Sequence, residues 1–301
     1  MGSARRDSPR GTAAGLGGLA LARTAGAAQG EAAAPDLRLG VCDWSLGMRG
    51  RQAFEAAGRI GLEGVQISPP GPADTLSYAT AAEQAGYRAI VRDTGVRVAS
   101  VGLTVTNACP LATDPRGPAW LVQTVEAAHA LGCRAALIAC FAKGDLLEEA
   151  TGQLKARDVD AVVGRLKEAA PHALKKGVVL GLESLLSAAD NLRVLDRVGS
   201  DAVQVYYDIA NSTSRGYDVP AEIRMLRGRI SQFHFKNTQG VLGEEGVKCE
   251  PIAEAVREIG YRGWLVLERS FGGDPAGYFG RNVAYLRRLF GLPAPRAGGA
   301  A

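Results

Sequence analysis

Apolar and β-branched residues concentrate in eight runs along this chain, at 37–46, 65–68, 96–103, 135–140, 178–184, 203–211, 230–237 and 264–270. Most of these runs are continuous rather than alternating in polarity, as strands buried on both faces are. Helical patterns separate them, at 51–60, 80–94, 120–131, 158–176, 191–198, 221–226, 252–259 and 278–290. The segment 158–176 shows the pattern best. Val159, Val162, Val163, Leu166 and Ala170 share one helical face, and Arg165, Lys167 and Glu168 lie on the others. Gly61, Gly95, Gly132, Gly177 and Gly260 each follow a helical segment, where a C-terminal stop is expected.

Eight strands alternating with eight helices predict an α/β fold, a (β/α)8 TIM barrel, as a single domain over residues 36–291. An open doubly wound sheet alternates in the same way. Against it, no GxGxxG follows the first strand and no GxxxxGK[ST] occurs anywhere. The 301 residues, 47% of them hydrophobic, suffice for one large core. The Pro/Gly/Ala-rich tail at 292–301 is expected to be disordered.

The first 35 residues have a different character. Arg5-Arg6 precedes a weakly apolar Ala/Gly/Leu stretch at 12–21, and Ala25-Gly26-Ala27 offers a small-residue cleavage site. Residues 1–35 therefore resemble a twin-arginine export leader followed by an unstructured lead-in, which predicts a periplasmic or otherwise exported protein, with the cytoplasm as the alternative. The apolar stretch is too short and Gly-rich for stable membrane insertion. Of the net charge of +4, Arg5, Arg6, Arg10 and Arg23 against Asp7 supply most. The remainder is near neutral and has no basic stripe interleaved with aromatics, which argues against a nucleic-acid partner. The five cysteines form no CxxC and no zinc-finger spacing. Their odd number leaves a thiol unpaired, which suits an exported protein only if it folds before export.

Glu183, Asp208, His234 and Glu268 stand at or near the ends of the last four apolar runs. The gaps between them, about 25 to 35 residues, each match one strand–helix unit. In a barrel, strand C-termini converge on one mouth, so the four would be neighbours on strands five to eight. Any one acid there would serve equally well as a helix cap or an ion-pair partner. His234 is the only one of three histidines at a strand end, since His129 and His172 fall in helical segments. Three carboxylates and an imidazole form an oxygen-rich set suited to one divalent metal ion, with Mn²⁺ preferred and Mg²⁺, Co²⁺ or Zn²⁺ also compatible. Coordination positions left open would take substrate oxygens.

The residues G-L-E at 181–183, Y-D-I-A-N at 207–211, H-F-K-N at 234–237, L-G-E-E-G-V at 242–247 and G-Y-R-G-W-L-V-L-E at 260–268 carry a resemblance. From about residue 37 to 290 the chain resembles the xylose isomerase-like TIM-barrel superfamily, in its sugar phosphate isomerase/epimerase branch. The resemblance implies one divalent ion held by Glu183, Asp208, His234 and Glu268, with Glu183 and Glu268 also exchanging the substrate proton. A metal on a carbonyl and its neighbouring hydroxyl acidifies the C–H between them. One carboxylate then removes that proton to give a metal-stabilised enediolate, and the other returns it on the opposite face. The chain departs from the family pattern at Asn237, where members often carry an acid, and at Gln66, where the second strand commonly ends in a glutamate. Asn211 stands three places after the aspartate, where His or Asn is usual.

Trp44 and Ser45 are expected to wall the sugar site, and Gln66, Asn211 and Lys236 to contact substrate. Lys236 has the alternative of pairing with Glu244 or Glu245, and Asp43, a candidate contact for a sugar hydroxyl, has that of capping its strand end. The expected activity is that of a sugar isomerase or epimerase on a free or keto sugar. The alternatives are a metal-dependent lyase or dehydratase of keto-sugars or keto-glycosides, and a sugar-binding barrel without turnover. The related endonuclease IV branch needs several strand-end histidines around three zinc ions, which His234 alone does not provide.

Overall fold

A computed structural model describes residues 36–269 and 273–294. The expected leader at 1–35, and the tail from 295 onward, lie outside the described residues. Eight parallel strands close into a barrel in sequence order. They are β1 Leu37–Cys42, β2 Gly64–Ile67, β3 Arg97–Leu103, β4 Ala135–Cys140, β5 Val179–Ser184, β6 Val203–Asp208, β7 Ile230–Phe235 and β8 Gly263–Leu267. Pairing of β8 with β1 completes the ring. The described helices are α1 Asp43–Leu46, α2 Gly50–Ile60, α3 Ala81–Thr94, α4 Gly117–Ala130, α5 Ala156–Lys176, α6 Ala188–Val198, α7 Ile209–Ser214, α8 Val219–Leu226, α9 Cys249–Glu258 and α10 Pro275–Phe290.

The expected strands and helices are all present, with two instructive differences. The runs 37–46 and 203–211 are not wholly strand: each turns into a short helix, α1 and α7. At α7 the cause is Asp208, whose Oδ1 accepts from the Ala210 and Asn211 backbone N–H groups at 2.8 Å each. That cap satisfies helix donors left without partners and ends the strand.

Helices coat the outside of the barrel. On α5 the apolar stripe Val159, Val162, Val163, Leu166 and Ala170 is buried, each larger side chain contributing about 1.5–3 kcal/mol. Gly177 ends this helix in the left-handed region at φ 67°, which side-chain-bearing residues rarely adopt.

The barrel interior is layered. Near the N-terminal end Trp264 lies across Gly64, where an added Cβ would come within 2.6 Å of the indole ring. Above it Ser100, Gln66, Tyr206 and Gln232 form a buried polar layer. Toward the C-terminal end come Glu183, Asp208 and His234, all buried. Two register shifts interrupt the ladders, one between Val65 and Gln66 against β3 and one between Val205 and Tyr206 against β7. Among the described residues the cysteines are all unpaired, and no helix is long and apolar enough to cross a membrane.

Candidate active site

Successive strand residues face opposite sides of a sheet, so a one-residue change of register decides which side chains meet. On β6 and β7, Val205 is opposite Ile230, but after the shift Tyr206 is opposite Gln232 and Asp208 opposite His234. Without it, Asp208 would face Phe233, an outward core residue. The shift therefore brings the aspartate beside the imidazole. Glu183 near the end of β5 and Glu268 just past β8 complete the group, and one ligand atom from each of the four lies within 4.8 Å of the others.

His234 Nδ1 is turned toward the acids. It is 2.7 Å from Glu183 Oε1, 3.8 Å from Glu268 Oε2 and 3.9 Å from Asp208 Oδ2. Asp208 serves two purposes: Oδ1 caps α7, and Oδ2 is directed into the cluster. The Lys236 ammonium lies between Asp208 Oδ2, at 2.7 Å, and Glu268 Oε2. The Asp208 contact is an ion pair without good hydrogen-bond geometry, leaving Oδ2 a buried acceptor with no donor. Trp44 Nε1 donates to Glu268 Oε1 at 3.2 Å.

These neighbours set the protonation of the group. Burial raises Glu183 above the usual carboxylate range, and the positive charge of His234 only partly offsets it. Burial acts the same way on Glu268, but there His234 and Lys236 outweigh it and hold the carboxyl at about 2. Burial lowers His234 and Lys236, yet the surrounding carboxylates raise both overall. Two acids of one cluster are thus driven in opposite directions.

The donor chemistry fits a divalent cation. Three carboxylates share a water-poor space with one ammonium and one imidazole, and only those two groups and the protons they hold offset the acids' charge. Buried uncompensated charge is costly, so a doubly charged ion is the natural complement. The hard, oxygen-rich set matches Mn²⁺, Mg²⁺ or Co²⁺.

Two recesses meet at Glu268. One, of about 370 Å³, is lined by Trp44, Ser68, Asn107, Phe141, Glu183 and Glu268 among others. The other, of about 320 Å³, is lined by Asn211, Ser214, Lys236, Thr238, Glu268 and Arg269 among others. Trp44, Asn211 and Lys236 therefore border the space a substrate would fill. Lys236 pairs with Asp208 and Glu268, whereas Glu244 bonds the Val241 backbone N–H.

Gln66 lies elsewhere. Its side chain is fully buried beneath the cluster, with Oε1 2.7 Å from His234 Nε2 and 3.0 Å from the Tyr206 hydroxyl that donates to it. It is absent from both recesses, because the register shift at Val65/Gln66 aligns it with Ser100 inside the barrel. Ser45 accepts from the Arg269 backbone N–H. Asp43 is buried and accepts from Ser68 N and Oγ and from Arg49, bracing β1 against β2. Asn237 organises the following loop through Val241, Glu245, Thr238 and Val247. Sequence reasoning missed Tyr206, Gln232 and Ser100. Their signal was present as polar groups within strands otherwise buried on both faces.

A family model described as xylose isomerase-like TIM barrel matches residues 54–289. In sequence the chain is similar to the 2-epi-5-epi-valiolone 7-phosphate 2-epimerase of an Actinoplanes species, 24% identical over 183 residues. That match spans 60% of this chain and 65% of the relative, just under two thirds of its length. Among solved structures, a D-allulose 3-epimerase from Methylomonas sp. superposes with a TM-score of 0.70 at 18% identity, covering 85% of this chain and 98% of that one. A 3-keto-D-glucoside 4-epimerase from E. coli gives 0.70 at 16% identity, covering 84% and 99%. At such identities the structural likeness establishes the fold.

Proposed function

The chain belongs to the xylose isomerase-like TIM-barrel family, and from that premise we propose that it is a divalent-metal-dependent sugar epimerase acting on a free or keto sugar. The observation that carries this reading is the cluster of Glu183, Asp208, His234 and Glu268 at a recess lined by both glutamates. The three relatives are named as epimerases, of 2-epi-5-epi-valiolone 7-phosphate, of D-allulose and of a 3-keto-D-glucoside, and their names support the same reaction class.

Glu183, Asp208, His234 and Glu268 would hold the ion, Mn²⁺ by preference. When bound, it supplies Lewis acidity toward a carbonyl and its neighbouring hydroxyl. Glu183 and Glu268 line the same recess, and one is suited to remove the proton from the carbon beside the carbonyl and the other to return it on the opposite face. Trp44 fixes the Glu268 carboxylate through its indole N–H. Lys236 offers positive charge to a developing oxyanion. Asn211, bordering the second recess, is placed for sugar hydroxyls.

An unphosphorylated substrate is favoured because the nearby cations are engaged. Arg49 bonds Asp43 and the Ser68 carbonyl, Lys236 pairs with two ligand carboxylates, and Arg269 bonds the Asn237 carbonyl. We also propose export through the Arg5-Arg6 leader. In that case Arg5→Lys with Arg6→Lys would retain the protein in the cytoplasm on cell fractionation, and unchanged distribution would rule the route out.

The reaction is tested by incubating the Mn²⁺-loaded protein with D-allulose, D-fructose and a 3-keto-glucoside in D₂O. Deuterium gain beside the carbonyl with inversion and no elimination is expected. Release of water or aglycone would replace the epimerase reading with a lyase.

A further inference from the structure

We propose that Gln66 is a positioning residue for His234, held in that role by Tyr206, Gln232 and Ser100. The inference rests on reading His234 as a metal ligand.

An imidazole ring presents one lone pair to a metal only if the other nitrogen carries the proton, and the partner of that second nitrogen decides which. Here Nδ1 faces the three carboxylates, and Nε2 faces the Gln66 carbonyl oxygen at 2.7 Å. A carbonyl oxygen only accepts, so Nε2 must donate. In the neutral ring Nδ1 then keeps its lone pair, aimed at the place where the acids converge, and a cation bound there would take the place of the proton that Nδ1 otherwise shares with Glu183.

The amide is held in this orientation by a chain of donors. Gln232 Nε2 donates to Ser100 Oγ at 2.9 Å and to the Tyr206 oxygen at 2.8 Å. Tyr206 in turn donates a hydrogen bond from its hydroxyl to Gln66 Oε1 at 3.0 Å. Cys42 Sγ approaches the same oxygen at 3.3 Å. The Gln66 amide nitrogen has no partner although it is buried. All of the residue's bonding is therefore on the oxygen, and half its polar capacity is left unmet, a poor arrangement for stability alone.

The backbone shows the same organisation. Both register shifts in the barrel occur at members of this group. Their effect is to set Gln66 opposite Ser100 and Tyr206 opposite Gln232. Counting on from Val65↔Val98 without a shift would put Gln66 opposite Ala99. Irregularities of this kind commonly re-aim side chains beside functional sites.

The test uses Co²⁺ as the probe on metal-free protein, read by calorimetry and by the visible absorption of the bound ion. Gln66→Leu should weaken Co²⁺ binding by about 10–100-fold, the usual loss when the partner of a ligating histidine is removed. Gln66→Glu restores an acceptor and should bind more tightly than Gln66→Leu. Tyr206→Phe, nearly unchanged in volume, should lose a smaller factor and provides a second arm if Gln66→Leu fails to fold. In ¹⁵N-histidine-labelled, Mg²⁺-loaded protein, His234 should carry its proton on Nε2, a resonance that only two other histidines accompany. The proposal is overturned if Gln66→Leu and Tyr206→Phe bind Co²⁺ as the wild type does with an unchanged His234 spectrum. A wild type that binds no Co²⁺ would instead refute the metal reading itself, and this inference with it.

Discussion

At the N-terminal mouth of the barrel a cavity of about 440 Å³ is lined by Arg134, Arg227, Arg262 and Trp264, among others, and by no carboxylate. At the C-terminal mouth a smaller recess of about 370 Å³ ends on Glu183 and Glu268. The same strands build both, yet only one concentrates buried charge. The arginines of the first mouth are exposed to water, where charge costs little to keep. The carboxylates, imidazole and ammonium of the second are largely withdrawn from water, where unbalanced charge costs several kcal/mol per ion. Cavity size would favour the N-terminal mouth, whereas the work needed to bury charge marks the C-terminal one as the site.

Four experiments probe the difference between the two mouths. Chelation has the largest expected effect. Removing the divalent ion should abolish turnover, restored by Mn²⁺, and lower thermal stability, since saturation at 100 times Kd contributes about 2.7 kcal/mol. Full activity in chelator would end the metal account. Next, Glu268→Gln should lower kcat/KM by about 10²–10⁴-fold with the circular dichroism spectrum preserved. Retained turnover would remove Glu268 from proton transfer.

A third experiment concerns Asp43 near the same mouth. Burial pushes its carboxyl up from 3.8 to about 6, although Ser68 and Arg49 pull the other way. The folded state then holds this proton more tightly than the unfolded chain. The group's contribution to stability is fully present below 3.8 and is lost as pH rises through about 6. The unfolding free energy of wild type minus that of Asp43→Asn should therefore fall across that window, by at most about 3 kcal/mol. A flat difference would contradict the assignment. The smallest effect is expected at the opposite mouth, where Arg262→Ala should leave kcat/KM unchanged and alter stability by no more than about 0.5 kcal/mol. A large loss of activity there would undo the comparison.

What could be read from the sequence follows the range of the interactions involved. The strands and their order were legible because continuous apolar runs and helix-stopping glycines are local signals. Glu183, Asp208, His234 and Glu268 were legible because residue type and a strand-end position coincide four times. The α7 turn was hidden because Ile209 and Ala210 extend an apolar run, and only the capping contact of Asp208 ends the strand. The true surroundings of Gln66 were hidden for a different reason. They depend on register shifts on two separate strand pairs, and no local pattern encodes which residue of β3 or β7 is passed over. Lys236 shows the same limit. Glu244 and Glu245 are nearer in sequence, but the closed barrel places Asp208 and Glu268 against its ammonium.

The central claim is that the cluster at the C-terminal mouth holds one divalent ion. Anomalous diffraction from crystals grown with Mn²⁺ tests it most directly. The account predicts a single peak enclosed by Glu183, Asp208, His234 and Glu268, with the Lys236 ammonium displaced from between Asp208 and Glu268. No peak there, with Lys236 still bridging the two carboxylates, would contradict it.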